Sequence, residues 1–293
     1  MLSRCAVSLI ALVIQASSSS PAACAACVAC SQAPVLEEKA NLSSPDGKLT
    51  LSFSLSEKGE PMYSLNYGDT PVVLPSRLGF ELRGTVKATE LDFKGTGITK
   101  KDSKPSYMFN SAFSVIGTEN GSCDEVWNPV WGEESEIRNH YNELAVNLVQ
   151  TASDKKMTIR FRLFDDGLGF RYEFPEQKGL TYFVIKDEMT EFAMGGDYTA
   201  LWIPGDYDTQ EYEYTVSRLS EIKTKMEESF CGNSSQTPFS MTGVQTSLQM
   251  KSDEGLYVNI HEAALVDYSC MHLDLDPATL TFKAALTPDA EGW

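Results

Sequence analysis

Met157, Ile159, Phe161 and Leu163 alternate with Thr158, Arg160 and Arg162, and this period of two constrains the fold more than any other feature. Successive side chains of a strand leave on opposite faces, so this run has one apolar and one basic face. Asp165-Asp166-Gly167 then offers a hairpin turn into Phe170, Tyr172 and Phe174. The same code opens at Lys48. Leu49, Leu51, Phe53 and Leu55 alternate with polar residues, Lys58-Gly59-Glu60-Pro61 turns the chain, Tyr63, Leu65 and Tyr67 follow, and Gly68-Asp69 turns it again. Further short strands are expected at 72–74, 78–82, 144–148, 182–185, 256–260 and 271–275. Residues 85–122, rich in Lys, Gly and Ser, predict longer loops between short strands, and helical spacing is confined to a turn or two near 219–228. At least ten short strands with almost no helix make an all-β chain: a large antiparallel sandwich and not a βαβ fold.

Charge narrows the partners. Asp and Glu number 41 against 24 Lys and Arg, a formal charge of −17, and such a field repels phosphate backbones, so no nucleic-acid partner is expected. Hydrophobic residues make up 42% of the chain, enough for a core, and after the N-terminus no segment approaches the ~20 apolar residues of a membrane span. The first 30 residues differ in character. Arg4 precedes an apolar run over 5–14, and small residues follow, with Ala23-Cys24-Ala25 as a cleavage site. Residues 1–30 are therefore expected to be a signal peptide and small-residue leader, 31–44 a linker, and 45–293 the domain. The protein is expected to be secreted, to the periplasm in a Gram-negative cell. Cys24, Cys27 and Cys30 have the spacing of a metal or cluster site but no fourth ligand nearby, and a lipid anchor on one of them is the alternative. Cys123, Cys231 and Cys270 are odd in number, which argues against a complete disulfide framework.

The densest chemistry lies at 202–220. Leu201-Trp202-Ile203 reads as a strand, Pro204-Gly205 breaks it, and Asp206, Asp208, Glu211 and Glu213 follow among Tyr207, Tyr212 and Tyr214. Carboxylates suit hard cations such as Ca²⁺, and tyrosine rings suit sugar faces; a solvated acidic loop is the plainer alternative. Asp206-x-Asp208 is not an EF-hand, because no glycine stands at the sixth loop position. His140, His261 and His272 form no zinc-hydrolase motif, and neither a G-x-S-x-G elbow nor a phosphate-binding glycine loop is present. A glycosidase needs two carboxyl groups flanking one bond. Glu133, Glu134, Glu143, Glu173, Glu211 and Glu262 are all candidates, and no pair stands out from spacing alone. Trp127, Trp131 and Tyr141 could line a sugar cleft or serve as core aromatics.

Pro204-Gly205-Asp206-Tyr207-Asp208-Thr209-Gln210-Glu211-Tyr212 resembles the calcium-ligand segment of the N-terminal domain of glycoside hydrolase family 97. Within it the resemblance is to the calcium-dependent α-glucosidases of starch utilisation in gut Bacteroidetes. It continues through Trp131-Gly132-Glu133-Glu134, Arg138-Asn139-His140-Tyr141-Asn142-Glu143-Leu144, Asp166-Gly167-Leu168-Gly169-Phe170-Arg171, Ser234-Ser235-Gln236-Thr237-Pro238-Phe239 and His261-Glu262-Ala263-Ala264-Leu265, and spans 42–290.

The resemblance implies a β-supersandwich that supports a catalytic (β/α)₈ barrel and lends it one calcium ligand, Glu211. The remaining ligands and both catalytic carboxylates belong to the barrel in that family. A barrel needs on the order of 250 residues of strand–helix alternation, and 45–293 shows none. The domain is accordingly expected to be cut short at its C-terminal end and to be inactive alone, with no catalytic residue of its own. The implied partners are the barrel and an α-glucoside or maltooligosaccharide. A stand-alone carbohydrate-binding β-sandwich module is the alternative.

Overall fold

The structure, a computed structural model, describes residues 5–16, 39–83, 106–181, 183–230, 236–266 and 268–288. In chain order the strands are β1 (Cys5–Ala16), β2 (Lys39–Ser43), β3 (Leu49–Leu55), β4 (Pro61–Tyr67), β5 (Thr70–Arg77), β6 (Phe80–Arg83) and β7 (Ser106–Phe109). Next come β8 (Phe113–Trp127), β9 (Ile137–Gln150), β10 (Lys155–Phe164), β11 (Gly167–Phe174), β12 (Val184–Glu188), β13 (Glu191–Met194) and β14 (Thr199–Trp202). The last six are β15 (Thr215–Arg218), β16 (Gly243–Gln245), β17 (Leu248–Lys251), β18 (Leu256–Ala264), β19 (Met271–Asp276) and β20 (Thr281–Leu286). One helix of four residues, α1 (Ile222–Lys225), lies between two 3₁₀ turns, where the sequence shows its helical spacing.

These strands make a nine-stranded sheet in the order β15-β14-β17-β18-β1-β11-β10-β9-β8 and an eight-stranded sheet in the order β16-β19-β20-β13-β5-β4-β3-β2. A third sheet, β12-β6-β7, has three strands. The all-β, large-sheet expectation holds. The two large sheets face each other through aromatic side chains: Phe53 meets Phe161 at 6.2 Å, and Tyr63 meets Phe170 at 5.4 Å between centroids. Phe80 of the small sheet meets Tyr172 edge-on at 4.5 Å. Tilted and edge-on pairs of this kind add to the area that the rings bury.

The alternation of β10 is observed as read: Met157, Ile159, Phe161 and Leu163 are fully buried. On the opposite face Arg160 bridges Glu143 at 2.5 Å and Glu173 at 2.8 Å, Arg162 reaches Glu143 at 2.8 Å, and Arg171 reaches Glu173 at 2.7 Å.

Three segments differ from the sequence reading. Residues 113–122, expected within loops and short strands, belong to one 15-residue strand, β8, whose distal part is wet on both faces and so carries no alternation. Lys39–Ser43, within the expected linker, pairs with β3 as an edge strand. Cys5–Ala16, within the expected leader, is a central strand, and its Leu12 and Ile14 are buried. A short apolar run reads alike as a leader core and as a strand buried on both faces. Among the described residues no helix is long and apolar enough to cross a membrane.

Candidate functional site

The loop between β14 and β15 is built inward from Asp206. Gly205 brings the chain against Phe239; a Cβ there would stand 2.3 Å from the ring, and one on Gly243 2.5 Å from it. Phe239 stacks parallel on Tyr207 at 4.9 Å, and His272 closes the group edge-on at 5.3 Å from Tyr207. Behind these rings the Asp206 carboxylate is buried and accepts from Tyr212 Oη–H at 2.6 Å, Thr237 N–H at 2.6 Å and Asp208 N–H at 2.9 Å. Burial pushes this carboxyl up, but those hydrogen bonds outweigh it and hold it below the ordinary range.

The backbone of the same loop is pinned from below. The Asp206 carbonyl lies 2.9 Å from His272 Nε2, and the Thr209 carbonyl accepts from Gln245 Nε2 at 2.7 Å. A carbonyl can only accept, so His272 carries a proton on Nε2. Burial pushes its pKa down, and the bond to Asp206 opposes that only in part.

The loop presents Glu211. Its N–H is held by Thr209 Oγ1 at 3.1 Å, its carbonyl by Gln236 Nε2 at 3.1 Å, and its side chain is exposed. No cluster of three His, Cys, Asp or Glu side chains that could hold a metal exists among the described residues. Glu211 thus belongs to no such cluster among the described residues.

The other sequence candidates are dispersed. Glu143 and Glu173 belong to the arginine network and are held below the usual range by Arg160 and its neighbours against the effect of burial. Glu262 lies on β18, and burial pushes it up. Glu133 and Glu134 are exposed at the tip of the long β8–β9 hairpin. His140 stands 3.9 Å from Asp165, and His261 bonds its neighbour's carbonyl. Cys123 and Cys270 are free thiols; Cys24, Cys27, Cys30 and Cys231 lie outside the described residues. Trp131 at the hairpin tip is 89% exposed and Trp127 48%, so neither is a core aromatic, whereas Tyr141 is buried under the Arg162 guanidinium at 4.5 Å.

Sequence reasoning missed His272 and Gln245 as supports of the loop. Nothing local marks them, because each sits in a strand whose outward face the loop happens to cover.

The family model described as glycosyl-hydrolase 97 N-terminal matches residues 42–290. The chain belongs to glycoside hydrolase family 97, through its N-terminal domain. A retaining α-galactosidase of Bacteroides thetaiotaomicron is 24% identical over 199 residues, covering 64% of this chain and 25% of that protein. A family 97 enzyme of Pseudoalteromonas sp. strain K8, solved with panose, is similar at a TM-score of 0.66 and 30% identity. Its complex with acarbose gives 0.66 and 29%; each comparison covers 86% of this chain and 32% of the enzyme. A β-arabinopyranosidase at 19% identity and a TM-score of 0.64 shares the fold. The chain thus spans between 25% and 35% of the length of these relatives.

Proposed function

We propose that this chain is the N-terminal domain of an exported, periplasmic α-glucosidase, that it braces a catalytic (β/α)₈ barrel, and that Glu211 gives that barrel one calcium ligand. The observation that carries the reading is Glu211 itself: an exposed carboxylate on a loop whose base is buried and hydrogen-bonded through Asp206, His272 and Gln245. A mobile acidic loop would lose entropy on meeting a cation, whereas this one has already been ordered by Asp206, His272 and Gln245. Ca²⁺ takes about 6–8 oxygens, so a single carboxylate fits one position of a site shared with a second surface. When bound, the ion would supply positive charge beside the leaving oxygen. The chain's own residues fix the Glu211 carboxylate and stiffen the sheet behind it.

Oligosaccharide complexes of the Pseudoalteromonas enzyme support a sugar substrate, and the α-galactosidase relative makes α-galactosides the competing class. The test is to read the source gene through codon 293, express the enzyme with its barrel, and assay chromogenic α-glucosides and α-galactosides with and without chelator. Glu211→Gln should raise the Ca²⁺ needed for half-maximal turnover roughly tenfold, the loss of one charged ligand, while the thermal midpoint holds. An unchanged calcium requirement would refute the assignment, as would calcium-dependent turnover by residues 1–293 alone.

A second reading has one observation in its favour. Trp131 and Trp127 are exposed at the end of a projecting hairpin, as stacking platforms for a stand-alone carbohydrate-binding module would be. Retardation of the 293-residue protein in gels loaded with starch would support it, and unchanged migration would dismiss it.

A further inference from the structure

The nine-stranded sheet has a slot at its centre. β11 and β18 run parallel to each other and are not paired; β1 lies between them, antiparallel to both, from Cys5 opposite Phe174 to Val13 opposite Gly167 on one side, and from Leu9 opposite Ala264 to Ala16 opposite Leu256 on the other. Leu12 and Ile14 fill the core there. Gly167 is shaped for the visitor: a Cβ would stand 2.5 Å from the Leu12 carbonyl, and the Asp166 carbonyl accepts the Ile14 N–H at 2.6 Å.

The occupant fits the backbone better than it fits the side chains. Asn259 on β18 pairs with Val13, and its buried amide oxygen has no hydrogen-bond partner. Beside them lies a groove of about 420 Å³ lined by Val13, Gln249, Tyr257, Asn259 and His261. A buried carbonyl without a donor costs about 1–3 kcal/mol. The slot therefore has room, and an acceptor, for a larger donor-bearing side chain where valine stands. The family match begins at residue 42, after β1, so the strand in the slot lies outside the matched residues. Its relatives have some three times its length from which to supply one.

We propose that the β11–β18 slot is a strand-acceptor site, filled by residues 5–16 by default, and that in the longer enzyme a strand encoded beyond residue 290 takes it with a hydrogen-bond donor facing Asn259. This occupant rests on the functional reading above; the slot does not. Main-chain hydrogen bonds would supply the affinity and the alternating side chains the selectivity, as in other strand additions. Removal of the leader would open two strand edges, and completion of the sheet would close them.

The test begins with the folded 293-residue protein carrying a protease recognition sequence between 17 and 38. After cutting, the leader fragment should co-elute with the remainder. Stripping it in mild urea should raise amide exchange along Gly167–Phe174 and Leu256–Ala264 tenfold or more, while Leu49–Leu55 and Pro61–Tyr67 of the other sheet stay protected. Loss of the fragment with unchanged protection of β11 and β18 overturns the slot. Should stripping unfold the remainder, Val13→Gln in the uncut chain decides the side-chain argument: a higher urea midpoint supports the donor opposite Asn259, and an unchanged or lower one defeats it.

The barrel-bearing protein made without residues 1–38 tests the occupant. Protected β11 and β18 support it, and exposed ones, or protection gained only by dimerisation, overturn it. If that protein hydrolyses its glycoside with both strands exposed, the occupant fails and the functional reading stands. If it is protected but inactive, the reverse holds.

Discussion

Asp206 and Glu188 are both buried carboxyls, and their environments push them in opposite directions. Asp206 accepts a tyrosine hydroxyl and two backbone N–H groups, and the two N–H groups are donors that cannot turn away; despite its burial it is held below the ordinary carboxylate range. Glu188 accepts only hydroxyls, from Thr190 and Tyr268 at 2.6 Å each, and Tyr172 extends the chain to Thr190 at 2.6 Å. Burial first, then the charges of Glu262 and Asp187, raise its pKa, and the hydroxyl bonds offset this only in part. Fixed amide donors demand a charge, whereas rotatable hydroxyls accommodate either protonation state. Asp206 is thus committed to being an anion that ties down a loop. Glu188 is a polar knot tying the small sheet to β11 and the segment after β18.

The largest expected effect is at Asp206. In Asp206→Asn one oxygen becomes an NH₂ group. Placing the remaining oxygen toward Asp208 N–H turns that NH₂ against Thr237 N–H, and reversing it strands Asp208 instead. Urea unfolding should show a loss of about 2–4 kcal/mol, the cost of leaving buried donors facing donors. A loss under about 1 kcal/mol would mean that the loop is not anchored here.

Acid should reveal the same anchor. Asp206 has a depressed folded pKa, so its stabilisation is complete above the unfolded value of about 3.9 and is lost as pH falls through the folded one. His272, also depressed, contributes fully above about 6.5 and loses its contribution below it. Both act in one direction, so stability should decline from about pH 6.5 downward, and again below about 3.9. Urea midpoints measured from pH 7 to 3 test this. Asp206→Asn should flatten the lower limb and His272→Gln the upper; a profile unaltered by either change would refute the assignment.

The contrast also marks what sequence could disclose. The strand β10 was legible because one face is buried and the other is only partly covered, so Met157 to Leu163 had to alternate. β8 was not, because most of it projects into water on both faces, and Gly117, Asn120, Gly121 and Ser122 read as loop. His272 stands between Met271 and Leu273, where alternation assigns it outward; it does point outward, and the Asp206 loop covers it. Glu188 fails for the same reason, since its cover comes from Tyr268, eighty residues away. Period two reports the faces of a strand, and only tertiary contact decides which outward residues are roofed over. Glu211 was singled out through family resemblance alone, and its placement on a pinned loop could not have been read from four acids in eight residues.

A smaller effect is expected at Glu188. In Glu188→Gln the Thr190 and Tyr268 hydroxyls can each turn to accept or donate, so the knot survives and the cost should stay under about 1 kcal/mol at pH 7. Because its folded pKa is raised, the wild-type group gives stability below the unfolded value of about 4.3 and loses it as pH rises through the folded value. The variant should therefore lack this loss. A penalty as large as that of Asp206→Asn would erase the distinction between the two carboxyls.

The smallest effect on stability should come from Trp131, which sharpens the comparison from outside the core. Its side chain is 89% exposed, so Trp131→Ala removes little buried area and should move the urea midpoint by less than about 0.5 kcal/mol. Trp131 shares the hairpin tip with exposed Val126, Trp127 and Val130, and a contiguous apolar patch of this kind marks an interaction surface. Affinity gels separate two coverings for it. If the variant loses retardation by maltooligosaccharide that the parent protein shows, the tip stacks on sugar by itself. If neither protein is retarded, yet the same change in the barrel-bearing enzyme lowers its turnover or its thermal midpoint, the hairpin acts against the catalytic domain. Asp206 then serves inside the fold, where its loss unfolds a loop, and Trp131 serves at the boundary, where its loss is visible only when the partner is present.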